Sequence, residues 1–122
     1  MDLPAHVTEA WPELRTIRWR VGGLPPFLGG WSLGTRAVDG ITLGRTVWLA
    51  PMAAARLDPG LLLHEARHVH HWASDRLFPL RYIAESLLSG YLNNRYEVDA
   101  RHYAAQRLAG RPLPIPPPAP GS

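Results

Sequence analysis

The sequence contains no cysteine and no lysine, no run of about 18 apolar residues, and no basic-then-apolar N-terminal leader. Without cysteine there is no disulfide, no thiolate nucleophile and no Cys-ligated zinc, so any metal this chain binds is held by His and carboxylate. The missing apolar run excludes a membrane-spanning helix, and the missing leader makes cytoplasmic localisation the default expectation, with signal-independent export as the other route. All 13 basic residues are Arg, which lifts the isoelectric point to about 10.0 although the formal charge is only +3. The Arg residues are scattered rather than interleaved with aromatics, so neither nucleic acid nor membrane is an expected partner.

What is present is a chain of 122 residues, 46% hydrophobic, with five Trp. That suits one small globular domain with a modest core. Thr16 to Val21 alternates at period two, with Ile17, Trp19 and Val21 on one face, and predicts a half-buried strand. A helical turn is read around Thr8 to Leu14. Residues 24–30, LPPFLGG, form a Pro- and Gly-rich loop. Trp31 to Ala50 divides into two or three short strands, with Asp39-Gly40 as a hairpin signal and Gly44 as a bulge or second turn.

Asp58-Pro59 is an N-cap followed by an N1 proline and opens a helix whose apolar face is Leu62, Ala66, Val69 and Ala73. A second helix starts near Pro79, with Leu80, Ile83, Ala84, Leu87, Leu88 and Tyr91 at amphipathic spacing. A third runs from about Arg95 to Ala109 and stops at Gly110, with Ala104, Ala105, Leu108, Glu97 and Arg101 assigned to its inward face. Residues 1–110 thus make one α+β domain, a small antiparallel N-terminal sheet followed by three helices, and 111–122 a Pro-rich flexible tail.

The first of these helices carries H-E-x-x-H. His64 and His68, four apart, share a helix face and can reach one ion. Glu65 is rotated by about 100°, within reach of a water on that ion. This arrangement suits zinc hydrolysis, with Glu65 as general base, and one Zn²⁺ is the expected cofactor. Glu65 as a surface residue near Arg67 or Arg76 is the alternative. A third ligand is required. Glu85 falls on the polar face of its helix and Glu97 on the inward face of the next, so Glu97 is the expected ligand, against an i, i+4 ion pair with Arg101. His71, nearly eclipsing His64, either lines the cleft or is an ordinary half-buried histidine. Donors for a transition-state oxyanion come from Tyr91, Tyr96, Tyr103, His71 and Arg101.

The order TLGRTVWL, LLLHEARHVHHW, NNRYEVDARHYA resembles the compact gluzincin-type zinc metallopeptidases, small bacterial domains with H-E-x-x-H on one helix and a Glu on a later one. The resemblance spans Ile41 to Ala105, and it implies a minimal zincin-like fold, His64, His68 and Glu97 as ligands, Glu65 as base, and Thr46 to Leu49 as a rim strand pairing with an extended peptide. Two departures stand out. His71 occupies a position where close relatives often carry Gln, and Arg101 one where larger gluzincins carry an Asp supporting a ligand His.

The function expected is a zinc-dependent endopeptidase acting on peptide or protein substrates. The alternative is a catalytically weak or inactive metallopeptidase-like binding or structural module, within a phage-like or secretion-associated assembly in one version, with the tail as linker or docking segment. A further expectation places the extended tail across the cleft as an autoinhibitor.

Overall fold

The structure, a computed structural model, describes residues 1–22, 32–33, 36–37 and 39–119. The loop read over 24–30 and the tail residues 120–122 lie outside these. The chain begins with α1 (Ala5–Ala10) and a 3-10 turn (Pro12–Thr16), where one helical turn was read. The strands β1 (Arg18–Val21), β2 (Ser32–Leu33), β3 (Arg36–Ala37), β4 (Gly40–Leu43) and β5 (Thr46–Leu49) follow, then α2 (Pro51–Arg56), α3 (Pro59–Ser74), α4 (Phe78–Ser89) and α5 (Arg95–Leu108). The α+β class read from the sequence is the one observed. Among the described residues no helix is long and apolar enough to cross a membrane.

The main sheet runs β1-β5-β4 and is mixed, not antiparallel as expected, because β1 pairs parallel with β5. The turn joining β4 to β5 is at Gly44-Arg45. Gly44 has φ +63 and Arg45 does not, the pattern of a two-residue type II′ turn. Asp39-Gly40, read as the hairpin signal, instead leads into β4. Among the described residues the short β2 and β3 pair with each other, apart from the main sheet. Because β5 is central and both its edges are taken, it cannot be the peptide-pairing rim; the edge strands among the described residues are β1 and β4, and on β4 the Thr42 carbonyl accepts from Trp72 Nε1 at 3.1 Å.

Register decides which side chains face the helices. Trp19, Val47 and Leu49 are buried, and Thr42 and Gly40 stand opposite Val47 and Leu49, so all five share the inner face of the sheet. Helix α3 lies against that face. It starts as the sequence signals: the Asp58 carboxylate accepts from the Gly60 N–H and Pro59 fills the first helical position. Leu62 and Leu63 are fully buried and Ala66 nearly so, each leucine contributing roughly 1.5–3 kcal/mol of transfer free energy. Ala73, assigned to the same stripe, is exposed.

Helix α4 forms where predicted but turned over. Leu87 and Leu88 are 83% and 85% exposed, and Leu80 and Ile83 also face solvent, while Phe78, Tyr82 and Ser86 point inward. Polar bonds fix that rotation. Asn94, completely buried, donates to the Tyr82 carbonyl at 3.0 Å and to Ser86 Oγ at 2.8 Å. Breaking these would leave a buried amide unpaired, at a cost of about 1–3 kcal/mol. Asn94 also caps α5 by accepting from the Tyr96 N–H. On α5 the inward face is Glu97, Asp99, Ala100, Tyr103 and Ala104; Arg101 and Ala105 are exposed and Leu108 is half-exposed, a rotation from the face expected.

The segment set apart as a flexible tail is docked over its described part. Ile115 is 6% exposed and belongs to the core with Val7, Leu14 and Trp19. The N-terminal turn is clasped to α5 in a similar way: Glu13 accepts from Arg107 at 2.7 and 2.9 Å and from the Tyr103 hydroxyl. Burial pushes the Glu13 carboxyl up, but these bonds outweigh it and hold it below its ordinary value. A carboxyl depressed on folding stabilises above its unfolded value, about 4.3, and loses that contribution as pH falls through its folded one. Glu13→Gln is therefore expected to lower unfolding free energy by about 1–3 kcal/mol at pH 7 in urea titrations, with the gap to wild type closing in acid. A gap that stayed constant from pH 7 to pH 2 would contradict this role.

Candidate metal centre

Helix periodicity stacks His64 above His68 on the face of α3 turned toward α5, and α5 supplies one acid to the space between them. His64 Nε2 is 2.9 Å from Glu97 Oε2, and His68 Nε2 is 2.9 Å from Glu97 Oε1. The three donor atoms lie within 4.8 Å of one another. Glu97 is 3% exposed and His68 7%, while the His64 side chain keeps 18% of its surface. Two imidazole nitrogens and a carboxylate oxygen converging at one partly open point form a donor set that could hold a metal ion.

The local electrostatics keep the acid charged. Burial alone would raise Glu97, but hydrogen bonds from His64 and His68 hold it well below the usual carboxylate range. Tyr82 donates to Glu97 Oε1 at 2.8 Å, and its hydroxyl is pushed far up by burial and by the Glu97 charge, so it stays a neutral donor. Tyr91 is pushed up to about 12 for the same reasons.

Glu65 is placed by the sheet. It is 5% exposed, and the Thr42 hydroxyl donates to its Oε2 at 2.7 Å. Gly40 explains how the carboxylate fits: a Cβ there would stand 3.3 Å from Glu65 Cγ, Cδ and Oε1. The carboxylate also lines a cavity beside the cluster. That cavity, of about 230 Å³, is also bordered by His68 and Glu97 and walled by Ile41, Leu43, Trp72, Phe78, Pro79 and Ile83.

Of the other residues singled out, Tyr91 borders the cavity and four do not. His71 sits behind His68, with the two Nδ1 atoms 3.2 Å apart and its Nε2 2.6 Å from Asp99 Oδ2. Tyr96 packs against the His71 ring at 5.1 Å between centroids, away from the cavity. Tyr103 belongs to the Glu13 clasp. Arg101 donates to the Leu92 carbonyl from an exposed position instead of pairing with Glu97. Tyr82, Thr42, Gly40 and Asp99 were missed. The spacing of Phe78, Tyr82 and Ser86 at i, i+4, i+8 was a second stripe on α4 that could have pointed to Tyr82; nothing local marks Thr42 or Gly40, whose roles depend on strand register.

No protein-family model, curated protein or solved structure matches the chain. The cluster makes a direct prediction: the protein takes up one divalent ion per chain, and His64→Ala and Glu97→Ala each retain less than about a tenth of it after dialysis. Wild-type metal content in Glu97→Ala would refute its assignment as a ligand.

Proposed function

We propose that the protein is a zinc-dependent peptidase, a minimal zincin-like hydrolase of peptide or protein substrates. The observation that carries this reading is Glu65: a buried carboxylate held at one oxygen by Thr42 and lining the cavity that His68 and Glu97 also border. A site that only bound metal for stability has no use for such a group.

His64, His68 and Glu97 would hold the ion, leaving a fourth position open. When bound, zinc supplies Lewis acidity that polarises a carbonyl and acidifies water to a pKa of ~7. Glu65 Oε1 accepts the proton of the attacking water and returns it to the leaving amine, while Thr42 keeps the carboxylate from turning away. The Tyr91 hydroxyl, which borders the cavity, is the neutral donor near the charge that develops on the scissile carbonyl, while the Tyr82 proton stays with Glu97. An extended substrate adds to the edge strand β4, and the apolar wall accepts one of its side chains.

A second reading, a metallopeptidase-like binding or structural module, is favoured by the apolar face that α4 turns to solvent. Glu65→Gln separates the two. The enzyme reading expects hydrolysis of a mixed peptide library to drop by about 10²–10⁴-fold with metal content retained. Equal, residual cleavage by wild type and variant would leave the module reading.

A further inference from the structure

His68 is held from behind by a continuous hydrogen-bonded chain that ends on the C-terminal segment. Arg67 donates to both Asp99 oxygens, Nε at 2.7 Å and Nη2 at 3.2 Å, and the same Nη2 donates to the Ile115 carbonyl at 3.0 Å. Asp99, an acceptor only, faces His71 Nε2 at 2.6 Å, so that nitrogen carries a proton. The neighbouring contact, His71 Nδ1 to His68 Nδ1 at 3.2 Å, requires one donor and one acceptor. His68 can ligate through Nε2 only if its proton is on Nδ1, and then His71 Nδ1 must be the bare acceptor. In the metal-free protein His68 Nε2 donates to Glu97 Oε1 at 2.9 Å; with an ion in place of that proton, the Asp99–His71 chain would keep the His68 proton on Nδ1 and leave the Nε2 lone pair for the ion.

We propose that His71 and Asp99 are positioning residues for the metal site, selecting the His68 tautomer that can bind an ion, and that the segment around Ile115 is the outer support of this relay. The tail is thus part of the site's framework and not a cover over it. Its described residues border cavities on the other faces of α3, and none borders the cavity at Glu65. The inference rests on the metal-site reading and not on peptidase activity.

The test is zinc affinity of the full-length protein, by competition with a chromogenic chelator, beside thermal unfolding of the metal-free protein. His71→Leu removes both partners and is expected to weaken zinc binding about 10–100-fold. His71→Gln restores an acceptor for His68 Nδ1–H and a donor to Asp99, and is expected to recover most of the loss. Packing alone would not distinguish the two in this way. Equal affinities for the Leu and Gln variants would overturn the relay. If His71→Leu does not fold, Asp99→Asn carries the test, with about a tenfold loss expected and wild-type affinity overturning it. For the tail, a chain ending at Pro112 or, should that not fold, Arg67→Met is expected to weaken zinc binding; unchanged affinity would remove the tail from the framework. A wild-type protein that binds no zinc would overturn the metal-site reading and this inference together.

Discussion

The carboxylate of Glu97, enclosed by two imidazoles and a phenol, is the interaction on which the arrangement of α3, α4 and α5 depends. A buried charge is tolerated only where it is paired and hydrogen-bonded, and here both oxygens are engaged. The requirement propagates outward. To bring Tyr82 to Glu97, α4 turns its polar side inward, which leaves its leucines in solvent. To hold that rotation, Asn94 is buried and bonds back to α4 while capping α5. The same residues that position a donor set define how the helices pack.

The sheet makes the complementary contribution. Pairing of β4 with β5 places Gly40 and Thr42 on the inner face, one leaving room for the Glu65 carboxylate and the other bonding to it. A one-residue slip would turn both outward and remove these contacts from Glu65. The type II′ turn at Gly44 is therefore tied to the chemistry proposed for Glu65, although Gly44 borders no part of the cavity.

Much of this was legible along the chain, and the limits have physical causes. Asp58-Pro59 marks the start of α3 because capping is local, and the i, i+4 histidines follow from helix geometry alone. Glu97 was recoverable because an acid on an inward helix face needs partners. The face of α4 was misread because a hydrophobic wheel weighs apolar area and ignores the bonds a buried Asn demands. Arg101 and Tyr103 were misplaced for a related reason: a small rotation of α5 moves one into solvent and the other to Glu13. Asp99 escaped because its role exists only through His71 and Arg67 on α3, and spacing on one helix does not report pairing with another. The parallel pairing of β1 with β5 is equally non-local.

The central claim is that α3 and α5 build a metal centre from His64, His68 and Glu97. X-ray absorption spectroscopy of the zinc-loaded protein tests it most directly, because imidazole rings leave a characteristic outer-shell signature. The account predicts a four-coordinate ion with two imidazoles and oxygen donors at about 2.0–2.2 Å. An ion surrounded only by oxygen, with no imidazole scattering, would contradict it.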